Sequence, residues 1–581
     1  MISNQEAAKF IREIGEFLEM KSIPFKPRAY EKAAEIIEGL EEEIAGIYNK
    51  GGLKALEDMP GIGVSIAEKI EELIKTGKLK YHAGLKKTIP VDLESFRGVE
   101  GLGPKTIFKL YKKLGVKNLK GLELVIKLGK IAKLKGFGQK SEENLKKGIA
   151  FVKKGGGRFV LGDILADVRQ IENQLKKLKE VEKLIVAGST RRRKETIGDV
   201  DILITSKNPK PIMDYFVKMS GVVRVTAKGV TKSAVKLKNG LDVDVRVVPE
   251  ESFGAAANYF TGSKDHNIAL RERAIKLGYK LNEYGLFKGE KRIAGKTEED
   301  LYQALGLVYI EPEMRENTGE IELAEKKKLP KIIGYNDLLG DLQIQTNWSD
   351  GGNSIEEMAR AAIKIGLEYI LITDHTKRLA MARGLDEKRL KKQGEEIDAV
   401  NARLEREGIR FKILKGTECD ILKDGSMDLS DEALSKLDIV GASVHSYFNL
   451  TEREQTERIK KAMQNPNVDI IFHPTGRIIN RRDAYPVNMD ELIKEAKKTG
   501  TVMEIDAYPD RLDLKDEYIR KCVEAGVKMS VSSDAHSYVH LPYLEYGLSQ
   551  ARRGFATKDD IINAWPLEKM LSFLKDGKKK Y

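Results

Sequence analysis

Apolar residues recur with different periods in different parts of the chain. In the first 150 residues they follow helical spacing, interrupted by three short glycine-X-glycine turns. Two short apolar runs, 184–187 and 202–204, then predict strands on either side of a polar segment. Beyond a charged linker at about 316–331, short apolar runs alternate with amphipathic helical stretches. The pattern predicts a multidomain α/β protein whose N-terminal part is helical.

The glycine turns each lie between an apolar helical stretch and the start of another helix. This is the helix-hairpin-helix pattern, in which glycine permits a tight turn and the amides of the next helix face a phosphate. Such contacts position a nucleic acid without reading its sequence. The pattern predicts DNA binding through Gly61, Gly63, Gly101, Gly103, Lys105, Gly136, Gly138 and Lys140.

Positive charge is concentrated in the same region. The chain has a net charge of +13, and residues 101–158 alone contain 16 Lys or Arg against 3 Asp or Glu. A basic block that accounts for the whole imbalance is expected to bind a phosphate backbone. The two cysteines exclude a disulfide framework, and no stretch approaches the ~18 apolar residues of a membrane span. We therefore expect a cytoplasmic DNA-binding protein without membrane association.

A cluster of acidic residues lies beside the predicted strands. Asp199 and Asp201 alternate along one strand and therefore share a face. A later alternating run offers Asp242 or Asp244 as a third carboxylate, and spacing alone does not choose between them. Three acids around two divalent metal ions suit phosphoryl or nucleotidyl transfer. Residues suited to holding phosphates are Gly188, Ser189, Arg191, Arg192, Arg193 and Gly198.

The segment after Asp244 resembles the nucleotide pocket of the family X DNA polymerases, the group that includes polymerase beta. The similarity is carried by Tyr259-Phe260-Thr261-Gly262-Ser263, by Asn267 and Arg271, and by Asn282-Glu283-Tyr284. It implies that Asp199, Asp201 and Asp244 bind two Mg²⁺ or Mn²⁺ ions. The residues implied to surround a deoxynucleoside triphosphate (dNTP) are Gly188, Ser189, Arg192, Gly198, Tyr259, Phe260, Gly262, Asn267 and Arg271.

The resemblance also implies separate roles within this set. Ser189 and Arg192 would hold the incoming triphosphate. Tyr259 and Phe260 would lie against the sugar and discriminate against ribose. Asn267 would contact the minor-groove edge of the incoming base, and Arg271 the template strand.

Residues 1 to about 85 resemble the small lyase domain of polymerase beta, notably at 29–34 and 60–70. In that domain a lysine attacks the sugar aldehyde at an abasic end and forms a Schiff base, and Lys69 stands at this position. Lys32 matches a phosphate-binding lysine. A lysine nucleophile needs neighbouring cations that depress its pKa. Lysines expected nearby are replaced here by Glu57, Ser65 and Tyr81. Lyase activity and an ordinary surface role for Lys69 both stay open.

In the C-terminal half, several predicted strands end in a residue that commonly binds metal ions. Side chains gathered at the carboxyl ends of successive strands form the active face of a β/α barrel. These segments resemble the PHP (polymerase and histidinol phosphatase) domain, a distorted seven-stranded (β/α)7 barrel with a trinuclear metal site. The resemblance implies Zn²⁺ or Mn²⁺ bound by Asp350, His375, Glu418, His445, His473, Asp534 and His536.

One of the three metal subsites departs from the family pattern. The complete sets are Glu418 with His445 and His473, and His375 and His536 with Asp350. The third set needs Glu418, Asp534 and two histidines, which are Gln343 and Gln345 here. Glutamine offers a neutral carbonyl oxygen, a poor substitute for imidazole. We expect two bound ions and weakened 3′–5′ exonuclease and abasic-site cleavage activity.

Together the resemblances cover about residues 1–570 and predict the domain order. We expect a helical lyase-type domain at 1–90, a DNA-binding segment at 91–155, a palm at 156–250, a nucleotide-selecting subdomain at 251–315, a linker at 316–335 and a PHP barrel at 336–575.

The implied function is template-dependent gap filling in DNA repair, including base excision repair, by a monomeric DNA polymerase. Its substrates would be dNTPs and gapped or primer-template DNA with a 5′-phosphate. Two alternatives stay open. The barrel could be a scaffold without activity, which Gln343 and Gln345 favour. The enzyme could also be a template-independent nucleotidyltransferase, against which the three turns and Asn267 argue.

Overall fold

The computed structural model describes residues 4–38, 40, 44–59, 61–96, 99, 102–154 and 158–578. The chain divides into two compact units, one of residues 1–156 with 480–483 and one of residues 157–479 with 484–581. No helix in the described part of the chain is long and apolar enough to cross a membrane.

The first unit is built from helices that each bury one apolar face. In α1 (Asn4–Met20), Ala7, Ile11, Ile14 and Leu18 recur at three- and four-residue spacing and are all buried. The helices that follow share one hydrophobic core with it. They are α2 (Lys26–Glu38), α3 (Ile44–Glu57), α4 (Val64–Thr76), α5 (Lys80–Thr88), α6 (Leu93–Phe96), α7 (Pro104–Leu114), α8 (Leu119–Lys127) and α9 (Gln139–Lys154).

The second unit begins with a mixed sheet covered by helices. Its helices are α10 (Leu161–Lys176), α11 (Gly188–Arg191) and α12 (Pro209–Phe216). Its strands are β1 (Phe159–Val160), β2 (Lys183–Val186), β3 (Thr196–Ile197), β4 (Asp199–Thr205), β5 (Val222–Lys228), β6 (Lys232–Leu237) and β7 (Asp242–Val248). The five-stranded sheet has the order β2-β4-β7-β6-β5, with β4 and β7 adjacent and parallel, while β1 pairs with β3. Alternate residues of β4 and β7 pack under α10 and α12, which leaves their polar residues on the other face.

A small mixed subdomain follows the sheet. It contains α13 (Phe253–Thr261), α14 (Lys264–Lys276), β8 (Lys280–Asn282), β9 (Gly285–Lys288), β10 (Lys291–Ala294), α15 (Glu298–Ala304) and α16 (Glu320–Glu325). The three strands form an antiparallel sheet of order β10-β9-β8. Leu270, Leu286, Leu301 and Tyr302 form the centre of its core.

The last part of the second unit is a barrel of parallel strands in sequential order. The strands are β11 (Gly340–Ile344), β12 (Tyr369–Ile372), β13 (Lys412–Asp420), β14 (Ile439–Ser443), β15 (Ile470–Ile471), β16 (Val502–Asp506) and β17 (Met529–Ser532). A parallel bridge between Ile344 and Ala535 joins the two ends of the sheet. The predicted mixed α/β fold, with helical N-terminal domains and a seven-stranded barrel, is confirmed.

Helices surround this barrel. They are α17 (Ile355–Lys364), α18 (Glu387–Arg406), α19 (Asp431–Leu434), α20 (Glu452–Met463), α21 (Met489–Thr499), α22 (Asp516–Ala525), α23 (Leu544–Arg553) and α24 (Leu567–Lys578). Short 3-10 helices lie at Glu250–Ser252, Pro312–Met314, Ala380–Ala382, Tyr538–Tyr543, Lys558–Asp560 and Ile562–Ala564.

Candidate functional site

Two acidic stretches meet on neighbouring strands of the five-stranded sheet. In the register of β4 and β7, Asp199 lies opposite Asp242 and Asp201 lies opposite Asp244. Because strand side chains alternate, all four lie on the face opposite the buried apolar residues. The fold thus brings the predicted acids to one surface.

The four carboxylates repel one another and are partly compensated by nearby lysines. Lys236 Nζ lies 2.7 Å from an Asp242 oxygen and compensates its charge locally. Burial, together with the charges of Asp199 and Asp244, raises the pKa of Asp201 to about 6. The charges of Asp199 and Asp244 therefore act on Asp201, and Lys232 Nζ lies 3.2 Å from an Asp244 oxygen, so a lysine partner does not distinguish Asp242 from Asp244.

Divalent cations fit this group of three carboxylates. A cation would relieve the mutual repulsion that raises the pKa of Asp201. Among the described residues, the groups of three whose ligand atoms approach within 4.8 Å all lie in the barrel. The wider spacing on the sheet suits Mg²⁺ or Mn²⁺, because Mg²⁺ is commonly held by one or two carboxylates together with substrate phosphates.

Helix α11 begins directly beside the acids. Gly188 has a φ of +65°, and a Cβ there would lie 3.3 Å from an Asp201 carboxylate oxygen. Glycine lets the backbone turn at this close distance and places Ser189 next to the carboxylates. A Cβ at Gly198, which precedes β4, would lie 3.1 Å from the Arg158 guanidinium.

Each of the three arginines near this turn has a carboxylate partner. The pairs are Arg191 with Glu298 (2.6 Å), Arg192 with Glu316 (3.0 Å) and Arg193 with Glu545 (3.0 Å). Arg192 also donates to the Thr261 backbone oxygen, and a Cβ at Gly262 (φ +70°) would lie 3.1 Å from its guanidinium. A triphosphate that contacts Arg192 must therefore compete with Glu316 for this side chain.

The other predicted nucleotide-contacting residues follow one another along α13 and α14. The Tyr259 and Phe260 rings pack edge to face with centroids 5.1 Å apart. Asn267 Nδ2 donates to the Tyr259 backbone oxygen at 2.7 Å. Arg271 Nε donates to the Asn267 backbone oxygen at 3.3 Å and is exposed.

A buried polar network behind these helices escaped the sequence analysis. Arg315 is fully buried and its guanidinium lies 2.5 Å from Glu298. Although burial opposes it, the charges of Arg315 and Arg191 lower the pKa of Glu298 to about 2. His266 Nδ1 lies 2.6 Å from a Glu320 oxygen. These partners are 17 to 107 residues apart in the chain, so no local pattern indicates them.

The predicted DNA-binding turns lie in the first unit. The helices that begin directly after the second glycine of a turn are α4, α7 and α9. The first glycine is left-handed, with φ of +86° at Gly61 and +88° at Gly136. Gly101 lies outside the described residues. Lys105 and Lys140 are exposed in the first turns of α7 and α9.

The predicted lyase residues lie near the first of these turns. Lys69 Nζ donates to Ser65 Oγ at 2.9 Å and lies 5.1 Å from the Tyr81 ring centroid. Lys32 lies beside the turn, because a Cβ at Gly61 would be 3.5 Å from its Cε.

The predicted barrel ligands meet at the carboxyl ends of the strands. Two groups have ligand atoms within 4.8 Å of one another: Asp350, His375 and His536, and His375, Glu418 and His445. His375 belongs to both. His473 Nε2 lies 2.8 Å from Glu418, so it approaches the second group as well. The sets of imidazole nitrogen and carboxylate oxygen suit Zn²⁺ or Mn²⁺.

Neighbouring groups orient several of these ligands. His536 Nδ1 lies 2.8 Å from the Asp534 backbone oxygen, and its Nε2 lies 3.8 Å from Asp350. A hydrogen bond at one ring nitrogen commonly directs the other towards a metal. His473 and Asp534 have φ of +30° and +51°. Such backbone conformations in non-glycine residues cluster at functional sites.

The two glutamines at the third subsite are hydrogen-bonded to its shared acid, Glu418. Their Nε2 atoms donate to the same Glu418 oxygen, from Gln343 at 3.0 Å and from Gln345 at 2.8 Å. A cation beside this oxygen would face N–H donors instead of lone pairs. Arg511 Nε also lies 3.5 Å from an Asp534 oxygen, the other acid of that subsite. The residues present fit the two ligand groups, whereas the third position has the Oε1 atoms of Gln343 and Gln345, which have no hydrogen-bond partner among the described residues and are weaker ligands than imidazole.

The barrel site has a strong electrostatic gradient. Although burial opposes it, the charges of His375 and His445 hold the pKa of Glu418 well below its usual range. Despite burial, Glu418 and Asp420 raise the pKa of His445 to about 9. Burial raises the pKa of Glu504 well above its usual range, and nearby Asp506 adds to this effect. Positive charge is therefore favoured around Glu418.

Three acids lie beside a glycine turn on the five-stranded sheet, and the first unit has helical turns suited to phosphate binding. The barrel adds a set of metal ligands. Together these features define a class of nucleic-acid polymerase with an attached metal-binding domain. Family models match the same parts of the chain. They are the helix-hairpin-helix domain (2–79), the DNA polymerase beta palm (164–249), the DNA polymerase beta thumb (256–316) and the PHP domain (341–507).

Curated relatives match the whole chain or the barrel alone. The chain is 38% identical over 580 residues to the DNA polymerase/3′-5′ exonuclease PolX of Bacillus subtilis (strain 168), covering 98% of this chain and 99% of that protein. A probable phosphatase of Thermoanaerobacter sp. (strain X514) is 33% identical over 239 residues, 39% of this chain and 90% of the phosphatase. A probable phosphatase of Acetivibrio thermocellus is 30% identical over 195 residues, 32% of this chain and 73% of that protein.

The chain therefore belongs to the family X DNA polymerases that carry a C-terminal PHP domain. It is a DNA-binding nucleotidyltransferase, and the predicted family and polymerase function are confirmed.

Proposed function

We propose that the enzyme fills short gaps in DNA by adding the dNTP that pairs with the template base. The observation that supports the proposal most is the register of β4 and β7, which places Asp201 opposite Asp244 with Asp199 beside them. When bound there, Mg²⁺ or Mn²⁺ stabilises the charge that develops on the phosphates. Repair of gapped DNA by a monomer in the cytoplasm is the proposed setting.

The reaction forms one bond and breaks one. The primer 3′-oxygen bonds to the α-phosphorus, the bond from that phosphorus to the bridging oxygen breaks, and pyrophosphate leaves. Asp244 assists the loss of the 3′-hydroxyl proton. Ser189 and Arg192 bind the triphosphate, and Tyr259 with Phe260 excludes ribose. Asn267 and Arg271, one turn apart on α14, contact the base pair and the template.

Extension of gapped DNA tests this function against template-independent transfer. With each of the four template bases in turn, we expect the complementary dNTP to be incorporated far faster than the other three. Asn267→Ala should reduce this discrimination, because the side chain lies beside Tyr259 and would contact the minor-groove edge of the incoming base. Equal incorporation of all four dNTPs, or extension of a primer without template, would instead indicate a template-independent nucleotidyltransferase.

A second proposed activity belongs to the barrel. Hydrolysis of phosphodiesters at a primer 3′ end or an abasic site is supported by the two ligand groups of the barrel. They are Asp350 with His375 and His536, and His375 with Glu418 and His445. The hydrogen bonds from Gln343 and Gln345 to Glu418 support a weaker activity than a complete site would give. A barrel that contains no metal after purification in Mn²⁺ or Zn²⁺ would support the scaffold alternative.

Deoxyribose-phosphate lyase activity at Lys69 is proposed as well, with Lys32 binding the 5′-phosphate. We expect borohydride to trap wild-type enzyme on a 5′-deoxyribose-phosphate end, because reduction fixes a Schiff base between lysine and the sugar aldehyde. Lys69→Ala should give no cross-link above background. Lys75→Ala is the matched control, since Lys75 lies on the same helix and pairs with Glu71. Equal trapping of Lys69→Ala and wild type would exclude Lys69 as the nucleophile.

A further inference from the structure

A helix of the barrel packs against the turn that carries the nucleotide-binding residues. Helix α23 places Glu545 3.0 Å from the Arg193 guanidinium and Gln550 Nε2 3.5 Å from the Arg193 backbone oxygen. Arg553, at the end of the helix, donates to the Arg192 backbone oxygen at 2.8 Å. Glu545 and Arg553 are separated by about two helical turns, so one side of the helix follows the turn.

Arg553 and Arg192 share one carboxylate. Glu316 Oε1 lies 3.0 Å from Arg192 Nε and 3.1 Å from Arg553 Nη1. The Arg553 side chain is only 2% exposed, and its other Nη atom pairs with Asp516. A buried guanidinium with a fixed set of acceptors holds its partners in one geometry, because any movement would leave a buried charge unpaired.

We propose that Arg553 positions Arg192 for the incoming triphosphate and keeps Glu316 neutralised when Arg192 exchanges that carboxylate for phosphate. The inference rests on the proposed contact between Arg192 and the triphosphate. With Arg553 in place, Glu316 retains a cationic partner after Arg192 leaves, and Lys194 Nζ at 3.8 Å adds a second. The Glu316 carboxylate is therefore not left without a cationic partner when Arg192 binds phosphate.

The proposal assigns the barrel a role in nucleotide binding that does not require its metal ions. Without Arg553, Glu316 would depend on Arg192 and Lys194, so Arg192 would be held more firmly away from the phosphates. The Arg192 backbone oxygen would also lose its donor. Both changes weaken dNTP binding, whereas neither touches the carboxylates Asp199, Asp201 and Asp244.

Steady-state single-nucleotide extension by the full chain tests the proposal. Arg553→Gln should raise the KM for dNTP about tenfold, the cost of one hydrogen bond to a charged group, with kcat changed less than about twofold. In a Glu316→Gln background the same change should have a smaller effect, because only the donor to the Arg192 backbone oxygen is then lost. Arg553→Lys should recover part of the affinity, since it restores the charge but not the branched donors. Arg520→Gln is the matched control, because Arg520 pairs with Glu524 on α22 of the same barrel.

The outcomes separate this inference from the proposed function. If Arg192→Gln raises the KM and Arg553→Gln does not, the role of Arg553 is overturned while that of Arg192 stands. An Arg553→Gln effect that persists fully in the Glu316→Gln background also overturns it. If Arg192→Gln leaves the KM unchanged, both the triphosphate contact and the positioning role are wrong. Thermal unfolding of each variant identifies any loss of folded enzyme.

Discussion

Asp244→Asn is expected to reduce kcat for nucleotide addition by about a thousandfold, which corresponds to about 4 kcal/mol of transition-state stabilisation. The substitution keeps the size of the side chain but removes the charge opposite Asp201 across the β4–β7 register. A neutral amide is a weaker ligand for Mg²⁺ than a carboxylate and cannot accept the 3′-hydroxyl proton. The measurement is single-turnover extension of a gapped primer with saturating dNTP.

Asp242→Asn is the matched control for this prediction. The residue lies two positions earlier on the same strand and face, and its charge is compensated by Lys236 at 2.7 Å. We expect its kcat to stay within about threefold of wild type, in the range of an exposed ion pair. Comparable losses in the two variants would contradict the assignment of Asp244 as the third acid.

Replacement of Gln343 and Gln345 together by histidine is expected to give the barrel a third metal ion. Each imidazole would present a nitrogen lone pair where an amide now donates to Glu418. We expect metal analysis to change from two ions per chain to three. Removal of labelled nucleotides from a primer 3′ end without dNTP should increase at least about tenfold, a usual effect of completing a metal site.

Several variants show whether this gain arises in the barrel. Gln343→His alone and Gln345→His alone should each give less metal, because one ligand of the set is still missing. Adding His445→Ala should abolish degradation, whereas adding Asp244→Ala should leave it intact. If the double histidine variant still binds two ions, its further substitution Arg511→Gln tests whether the guanidinium at Asp534 excludes the third ion.

The palm site was predictable because its chemistry is local in sequence. Alternation along a strand places Asp199 and Asp201 on one face from the residues alone. The choice of Asp244 over Asp242 was not local, since it depended on a family resemblance, and in the fold each of the two acids has a lysine beside it. Each barrel ligand could be predicted separately, as a residue that follows an apolar run. Which ligands lie together around Glu418 could be seen only from the order of the strands in the barrel.

The partners of the arginines could not be predicted from the sequence. Arg191, Arg192 and Arg193 are adjacent, which suggested a shared positive patch for phosphates. In the fold each meets a carboxylate from a different part of the chain, the most distant being Glu545, more than 350 residues away. Ion pairs between distant segments leave no periodic pattern, so only the tertiary arrangement shows them.

The hydrogen bonds at Glu418 have a consequence for folding. A buried carboxylate at the centre of a metal site normally requires its cation, and such domains often unfold when the metal is removed. Here Gln343, Gln345 and His473 satisfy Glu418 with protein donors. We therefore expect the barrel to fold without its transition metals, and the turn supported by α23 to form with it. DNA synthesis by this enzyme would then persist in a cell starved of zinc and manganese, provided that magnesium remains.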